Sequence, residues 1–284
     1  MFIKNFFVNV KMFLATIYHF TRICFTFFRG YNGINNIACK NSIRQKELKI
    51  LGNGNSLKKS LHEISISDYD FMVVNRHVLS ESYNVIKPKY YILADPHFYS
   101  HEEGIGILSK VIKQTSWELN LFLPFEALNS KTRSILNNIP GNIKVTFFNT
   151  RGANGFSFYK YWLYNKNLSM PIVQNVMVAA TYLAISLKYK RVDLYGVEHS
   201  WLKYLSVNDN NEVCLENPHF YDKGKTKKQT WYEIQHVTAT LSEVLRAYAN
   251  MFESYLEVEA YARKKQVAIV NKTANSYIDA FRRE

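Results

Sequence analysis

The run Leu48-Lys49-Ile50-Leu51-Gly52-Asn53-Gly54-Asn55-Ser56-Leu57 decides the fold of this chain. Its apolar first half predicts a β-strand, its two glycines predict a tight loop, and the residues from Ser56 onward predict the start of a helix. The free backbone amides at such a helix start suit an anion such as a phosphate. An ordinary strand-to-helix turn has the same pattern, so its meaning depends on the rest of the chain.

Length, charge and cysteine content narrow the class of protein. The 284 residues are enough for one large α/β domain or two small ones, and the 47% of hydrophobic residues can fill a core. The net charge of +13 favours an anionic partner, although no nucleic-acid-binding module is found, so nucleic acid is not predicted as a partner. Cys24, Cys39 and Cys214 form no CxxC pair and no disulfide framework, which indicates a reducing compartment.

Residues 1–29 predict a basic, aromatic-rich helix that lies on the cytoplasmic surface of the inner membrane. Polar residues such as Lys4, Lys11 and Arg22 interrupt its apolar runs, so none approaches the roughly 20 residues of a spanning helix. No small-residue cleavage site follows, so a secretory signal is not predicted. A helix packed on the domain, or a contact in a homo-oligomer, is the alternative. Residues 30–46 are rich in Gly and Asn and predict a linker, which leaves residues 47–284 as the main domain.

From residue 47 onward, short apolar runs alternate with helical patterns. This alternation predicts an α/β fold, with a single doubly wound, Rossmann-like parallel sheet that binds its ligand beyond the carboxyl ends of the strands. The strands are predicted at residues 47–51, 70–75, 89–94, 118–123, 144–148, 191–196 and 267–271. The helices are predicted at residues 56–64, 99–115, 126–137, 157–168, 172–188 and 231–264, with a short final helix from Ser276.

Residues 199–230 interrupt this alternation. They are polar and rich in turns, then basic, and a long irregular segment within a compact domain is commonly a functional lid. The helical stretch that follows, residues 231–264, has one apolar stripe that is expected to face the core or a partner chain. Its members are Ile234, Val237, Leu241, Val244, Leu245, Tyr248, Phe252, Tyr255 and Leu256.

Polar residues follow most of the predicted strands, at the edge where a parallel sheet binds ligands. They are Gly52-Asn53-Gly54, Asn75-Arg76-His77, Asp95-Pro96-His97, Asn149 and Gly196-Val197-Glu198-His199. Asparagine there can donate and accept hydrogen bonds without adding charge. His97, His199 and His219 are candidate bases near neutral pH. No His or Cys pair has zinc spacing, and no Asp-x-Asp motif is found, so a metal-independent site without a cofactor is expected.

Three of these motifs, in order, resemble a known enzyme family. The runs ILGNGNSL, DFMVVNRH and YYILADPHFY look like the bacterial lipooligosaccharide sialyltransferases, which use CMP-sialic acid. AISLKYKRVDLYGVEHS is similar to their helix, strand and Ser-Gly-Ile-Asp segment, and VAIVNKTANSYIDAF is similar to their closing strand. The resemblance covers residues 47–281. Wider similarity extends to the motility-associated flagellin glycosyltransferases and the MptE-like pterin pyrophosphokinases.

The resemblance implies an inverting, metal-independent transfer of sialic acid or a related nonulosonate from a CMP-activated donor. The acceptor would be a surface glycan or glycolipid, such as lipooligosaccharide, lipopolysaccharide, O-antigen or capsule. His219 would deprotonate the acceptor, and Tyr221 with the lid lysines would stabilise the leaving phosphate. The donor-binding residues would be Gly52, Asn53, Gly54, Asn55, Ser56, Asn75, Asp95, Gln174, Asn175, Gly196, Glu198 and His199.

The sequence also departs from the family pattern. Asn55 replaces a Pro, Val173 stands near the position of a family Arg, and Asp95 replaces an Asn and adds a negative charge near an anionic donor. The family's lid histidine matches either His219 or the region of Lys223. Kdo or another activated sugar is therefore an alternative donor. An MptE-like, Mg²⁺-dependent pyrophosphokinase that uses Asp95 and Glu198 is a second reading, and a non-catalytic membrane-bound scaffold is a third.

Overall fold

A computed structural model describes residues 9–21, 47–216, 228–235 and 237–284. Within these residues, eight strands form one parallel sheet and three short strands form an antiparallel sheet. The seven strands predicted from the sequence are all confirmed. The strands are β1 (Leu48–Leu51), β2 (Asp70–Val74), β3 (Tyr90–Ile92), β4 (Leu119–Pro124), β5 (Ile143–Phe148), β6 (Arg191–Tyr195), β7 (Leu205–Val207), β8 (Val213–Leu215), β9 (Gln229–Thr230), β10 (Ala268–Asn271) and β11 (Arg282–Arg283).

The helices lie between these strands, as an α/β fold requires. They are α1 (residues 9–21), α2 (Leu57–Ser60), α3 (Ser82–Ile86), α4 (His97–Ser100), α5 (Glu102–Gln114), α6 (Arg133–Asn137), α7 (Ser157–Asn165), α8 (Val176–Ser186), α9 (Trp231–Gln235) and α10 (Leu241–Lys264). Short 3₁₀ turns span Asn75–Leu79, Phe125–Ala127 and Trp201–Tyr204.

Several predicted helices differ in extent from the observed ones, and one does not form. The predicted helix 56–64 is helical only at Leu57–Ser60, and the predicted helix 99–115 corresponds to α4 and α5, which are divided at His101. The stretch 231–264 divides into α9 and α10, because Thr240 and Glu243 form a capping box that starts a new helix. The stretch 126–137 is helical only in a 3₁₀ turn and in α6. The helix predicted from Ser276 does not form: residues 276–280 are irregular, and Arg282–Arg283 add an edge strand parallel to β10.

Helices cover both faces of the sheet, and each covered face is a separate core. On one face α7, α8 and α10 pack over alternate residues of the central strands, such as Ile50 and Met72. On the other face α3, α4 and α5 pack over the intervening residues, such as Leu51 and Val73. Helix α8 is buried almost all round, as its nearly unbroken apolar sequence requires. The sheet is therefore doubly wound.

The strand order places a switch point between β1 and β6. The order is β11-β10-β6-β1-β2-β3-β4-β5, so the chain winds in one direction from β1 to β5 and in the other from β6 to β11. Doubly wound sheets bind ligands in the crevice at such a point.

A buried ion pair joins the two strands at the switch point. Lys49 of β1 and Asp193 of β6 are register partners, and their charged groups lie 2.5 Å apart. Although burial alone would lower the pKa of Lys49, its bonds to Asp193 and Glu47 raise it above its ordinary value.

The segment predicted as a lid, residues 199–230, contains the small antiparallel sheet β7-β8-β9. Residues 217–227 of this segment lie outside the described part of the chain. The apolar stripe on the following stretch is divided. Val244 and Tyr255 are buried in the domain, whereas Val237, Leu245 and Leu256 are exposed. Helix α10 thus contributes only some residues of the stripe, among them Val244 and Tyr255, to the core of its own domain.

Helix α1 contacts the main domain with one face. Thr16 accepts a hydrogen bond from the amide of Phe156 at 3.1 Å, and His19 Nε2 lies 2.9 Å from the carbonyl oxygen of Gly152. Both residues belong to the side of the helix that is half-buried. The opposite side exposes Phe13, Leu14, Ile17 and Tyr18, among other large apolar residues. Of the described helices, none is long and apolar enough to cross a membrane.

Candidate functional site

The glycine loop after β1 is fixed to the loop after β6 by backbone hydrogen bonds. The amide of Gly52 donates to Tyr195 O at 2.8 Å, and the amide of Gly54 donates to Gly196 O at 2.9 Å. A methyl group on Gly52 would lie 2.3 Å from the carbonyl oxygen of Gly196, so only glycine allows this approach. Gly196 itself has φ +66°, which glycine adopts without strain. The glycines therefore bring two strand ends together at the switch point.

Glu198 fills the place where the sequence predicted an anion. Its Oε1 accepts a hydrogen bond from the amide of Ser56 at 2.6 Å, at the start of α2. Gly54 makes room for the carboxylate, because a methyl group there would lie 1.5 Å from Glu198 Oε2. Helix α2 is a single turn of four residues, so its dipole is small. The backbone amide of Ser56 is thus already paired with a carboxylate of the protein itself.

Two asparagines extend the site from β1 to the neighbouring β2. Asn53 Nδ2 donates to the carbonyl oxygen of Val74, the last residue of β2, at 3.2 Å. Asn75 follows directly with φ +51°, a left-handed conformation that asparagine tolerates better than most residues. Its carbonyl oxygen accepts a hydrogen bond from the Tyr91 hydroxyl at 2.6 Å, which fixes the turn. Both side chains are half-buried at the carboxyl edge of the sheet.

Four polar atoms at this edge are shielded from solvent and have no hydrogen-bond partner among the described residues. They are Asn53 Oδ1, Ser56 Oγ, Asn75 Oδ1 and Glu198 Oε2. Buried polar groups in folded proteins are almost always paired, so each such atom calls for an explanation. All four belong to residues that the sequence selected as donor-binding. Their clustering along β2, β1 and β6 marks this edge as the candidate binding site.

Residues after β10 support the loop that carries Glu198. Thr273 Oγ1 accepts a hydrogen bond from the amide of Val197 at 3.1 Å, and Ser276 Oγ donates to the carbonyl oxygen of Val197 at 2.6 Å. The amide of Tyr277 donates to the carbonyl oxygen of Glu198 at 2.7 Å. The sequence did not select Thr273 or Ser276 as site residues. Only the adjacent strands β6 and β10 bring them to this loop.

His199 is held in a chain of buried hydrogen bonds. Its Nδ1 lies 3.2 Å from the Tyr255 hydroxyl, which donates to Asn175 Oδ1 at 3.0 Å. Because Asn175 Oδ1 only accepts, His199 Nδ1–H must donate to Tyr255, and Nε2 is the basic nitrogen. Burial lowers the pKa of His199 to about 3. A base with so low a pKa is weak near neutral pH, which disfavours the catalytic role considered for His199.

Asn175 has a structural role that the sequence did not predict. It is the N-cap of α8, and its Oδ1 accepts from the amides of Met177 and Val178 at 2.7 Å and 3.3 Å. Its Nδ2 lies 2.9 Å from Met251 Sδ. Both ends of the side-chain amide are therefore used within the fold. Its neighbour Gln174 is exposed.

Asp95 and His97 lie further along the same edge, after β3. Asp95 is exposed, and its Oδ1 accepts from the amide of His97 at 2.9 Å. His97 Nε2 lies 3.2 Å from Arg76 Nη2, and Arg76 pairs with Glu103 at 2.6 Å. Partial burial, together with the charge of Arg76, lowers the pKa of His97 below its ordinary value. Both residues are at the sheet edge, and their polar contacts include those with each other, with Arg76 and with Glu103 of α5.

The remaining predicted residues are placed as follows. Asn55 is exposed at the tip of the glycine loop. His219, Tyr221 and Lys223 lie outside the described residues, so their roles stay predictions. Across the described ranges, no three His, Cys, Asp or Glu side chains are arranged to hold a metal ion.

Several solved structures are similar to this chain, including the following three. The MAf glycosyltransferase from Magnetospirillum magneticum AMB-1 is 13% identical with a TM-score of 0.49, over 86% of this chain and 34% of that chain. The Campylobacter jejuni sialyltransferase CstII in complex with cytidine-5′-monophosphate is 15% identical with a TM-score of 0.46, over 85% of both chains. An α-2,3-sialyltransferase from C. jejuni in apo form is 16% identical with a TM-score of 0.45, over 86% of this chain and 82% of that chain.

This chain spans about a third of the length of the Magnetospirillum protein. No protein-family model matches the sequence, and no curated protein matches it. One of these three neighbours is a MAf glycosyltransferase, and the other two are sialyltransferases.

Proposed function

We propose that this protein is a glycosyltransferase that takes sialic acid or a related nonulosonate from a CMP-activated donor. The observation that carries the proposal is the group of four unpaired polar atoms at the carboxyl ends of β2, β1 and β6. They lie at the switch point of a doubly wound sheet, where ligands of such folds bind. The same residues form the Gly-Asn-Gly and Asn motifs that resemble the sialyltransferases.

The transfer would release CMP, whose developing phosphate charge must be stabilised in the transition state. We propose an inverting, metal-independent reaction in which His219 removes the proton of the acceptor hydroxyl. Tyr221 and the lid lysines, of which Lys228 is described and exposed, would face the leaving phosphate. Residues 199–230 would act as a lid that excludes water, which suppresses hydrolysis of the donor. A surface glycan, such as lipooligosaccharide, lipopolysaccharide or capsule, would be the acceptor.

A ligand-binding panel tests the donor class. CMP, CDP, UDP, GDP and ATP would each be added in EDTA or in Mg²⁺ while thermal unfolding is followed. A ligand at 100 times its dissociation constant stabilises the folded state by about 2.7 kcal/mol. We expect CMP and CDP to raise the melting temperature in EDTA. A shift with ATP and Mg²⁺ alone would favour the pyrophosphokinase reading, and no shift with any nucleotide would favour a scaffold.

The role of His219 is tested by measuring sugar transfer and CMP binding of a His219 variant. We expect His219→Ala to lower transfer from a CMP-sugar at least about 100-fold, because general bases contribute about 10²–10⁴-fold. Binding of CMP should be kept. His62→Gln replaces an exposed histidine elsewhere and is the matched control. Full activity of His219→Ala would exclude this residue as the base.

We further propose that the enzyme works on the inner-membrane surface, where lipid-linked acceptors lie. The exposed side of α1 bears Phe13, Leu14 and Ile17, and the exposed side of α7 bears Phe158 and Trp162. Thr16 of α1 accepts a hydrogen bond from the amide of Phe156, the residue before α7, so the two helices are in contact. With a net charge of +13, such a surface suits an anionic bilayer.

Vesicle binding tests this proposal. We expect the full chain to co-sediment with vesicles that contain anionic phosphatidylglycerol, and less with phosphatidylcholine alone or at high salt. Phe158→Ser with Trp162→Ser should weaken binding by about tenfold or more, since large apolar side chains contribute on the order of 1.5–3 kcal/mol when buried. Val85→Ser with Leu128→Ser removes two apolar residues that are also exposed, at other places on the surface, and should leave vesicle binding unchanged. Equal loss in both double variants would contradict the proposal.

A further inference from the structure

The carboxylate of Glu198 determines what the glycine loop can bind. It accepts the inward amide of Ser56 at 2.6 Å, and it occupies the space that Gly54 leaves free. A phosphate placed at the same amide would meet a negative charge at hydrogen-bonding distance, which is strongly unfavourable in a partly buried site. The loop therefore does not act as the anion cradle that its glycines suggest.

The unpaired atoms of the site indicate the chemistry of the group that does bind. Asn53 Oδ1, Asn75 Oδ1 and Glu198 Oε2 are all hydrogen-bond acceptors, and Asn53 Nδ2 is already used by Val74 O. Three acceptors without donors among the described residues are satisfied by a ligand that brings hydroxyl or amino hydrogens. A phosphate at neutral pH brings almost none, whereas two neighbouring hydroxyls bring two.

We propose that Glu198, with Asn53 and Asn75, forms a subsite that recognises neighbouring hydroxyl groups of the donor, and that phosphate lies outside the glycine loop. The hydroxyls belong either to the ribose of the nucleotide or to the transferred sugar, which share this chemistry. Glu198 accordingly determines the specificity for the donor by direct contact with its hydroxyl groups. Its negative charge also prevents an anion from binding in the glycine loop. This inference rests on the proposed nucleotide-sugar site and specifies which part of the donor that site reads.

The substitution Glu198→Gln shows whether hydroxyl groups or a phosphate bind at the glycine loop, because it changes the affinity in opposite directions in the two cases. Glutamine keeps one oxygen to accept the Ser56 amide and replaces the unpaired acceptor Oε2 with a donor. If the subsite binds the ribose hydroxyls, the variant weakens binding of cytidine and CMP alike, by about 10- to 100-fold, as expected for a lost hydrogen bond to a charged group. If it binds hydroxyls of the transferred sugar, the variant weakens binding of a CMP-sugar analogue by a similar factor. If the loop holds phosphate, removal of the negative charge tightens CMP and leaves cytidine unchanged.

The experiment is calorimetric titration of the full chain with cytidine, 2′-deoxycytidine, 3′-deoxycytidine and CMP. We expect the affinity of the wild-type chain for cytidine to be at least about ten times its affinity for one or both deoxy analogues. Glu198→Gln should reduce that ratio to less than about threefold, which is the range expected when the charged acceptor is absent. Glu63→Gln, a change to an exposed carboxylate, is the matched control, and thermal unfolding verifies the fold of both variants.

A second arm distinguishes the source of the hydroxyls. If deoxy analogues bind like cytidine but Glu198→Gln still weakens a non-transferable CMP-sugar analogue, the hydroxyls are those of the sugar, and the proposal stands. If Glu198→Gln tightens CMP or leaves every ligand unchanged, the proposal is overturned while CMP binding still supports the proposed function. If no cytidine ligand binds the wild-type chain, both the inference and the proposed donor class are overturned.

Discussion

Replacement of Gly52 by alanine should lower the stability of the whole fold, whereas the same replacement at Gly54 should affect the site alone. At Gly52 the new methyl group would lie 2.3 Å from a backbone oxygen of Gly196 and 2.7 Å from Val197 Cγ1. Neither neighbour is at the end of a flexible side chain, so the loops after β1 and β6 must separate. We expect a loss of about 3 kcal/mol, at the upper end of what overpacking costs, and a clearly lower melting temperature.

At Gly54 the nearest group is the carboxylate of Glu198, which can rotate away. The fold should therefore survive, but the bond from Ser56 to Glu198 should break and the unpaired atom Glu198 Oε2 should move. We expect a change in melting temperature of only a few degrees and a loss of nucleotide affinity of about tenfold or more, the usual effect of a lost hydrogen bond to a charged group.

Gly106 provides the control for both glycine variants. It lies on the exposed side of α5, and a methyl group there would meet nothing within 4 Å. Gly106→Ala should stabilise the protein by about 0.5–1 kcal/mol, because alanine loses less backbone freedom in a helix than glycine. Thermal unfolding of the three variants tests the expected differences in stability, and nucleotide titration tests the expected loss of affinity in Gly54→Ala. A Gly52→Ala protein as stable as the wild type would show that β1 and β6 do not approach as closely as described.

The stability of the protein should decrease as the pH falls from about 6.5 towards 3, and two buried histidines should cause much of this loss. Burial lowers the pKa of both His77 and His199 to about 3 from 6.5. Between these values the unfolded chain binds a proton at each histidine and the folded chain does not. Unfolding then takes up protons, so the free energy of unfolding rises with pH by about 1.4 kcal/mol per pH unit for each histidine. The stability that the two neutral histidines contribute is fully present above the unfolded pKa of 6.5. It is lost progressively as the pH falls from 6.5 to the folded pKa of about 3.

His199→Asn isolates one of the two histidines. Asparagine tolerates the left-handed backbone of this position, which has φ +47°, and it does not titrate. We expect the free energy of unfolding in urea, measured from pH 4.5 to 6.5, to depend on pH less steeply by about 1.4 kcal/mol per unit than in the wild type. His62→Gln, at an exposed position, should follow the wild-type curve. Parallel curves for His199→Asn and the wild type would mean that His199 is protonated in the folded state.

The sheet could be predicted from the sequence because its strands are nearly continuous apolar runs between polar turns. Those patterns depend on burial, which every central strand of a doubly wound sheet shares. The strand β11 has no such pattern, since Arg282 and Arg283 are exposed at the edge of the sheet and are not apolar. The break before α10 had a readable signal in Thr240 and Glu243, but the continuous apolar stripe on either side obscured it.

The position of the site could be predicted, but its internal contacts could not. Asn53, Asn75 and Glu198 were selected because each follows a strand, and parallel strands end at a common edge. That the Glu198 carboxylate occupies the glycine loop depends on β6 lying beside β1, and strand order is not visible in either segment alone. The same holds for Asn175, whose residue type fits a ligand contact as well as the helix cap that it provides.

The hydrogen bonds from Thr273, Ser276 and Tyr277 to the loop that carries Glu198 have a consequence for the order of synthesis. A ribosome makes Asn53 and Asn75 early, adds Glu198 much later, and adds the three supporting residues later still. The first two-thirds of the nascent chain therefore contains the glycine loop without the residues that shape it. The proposed nucleotide site should be complete only after residue 277 has left the ribosome, when the opposite half of the sheet has folded.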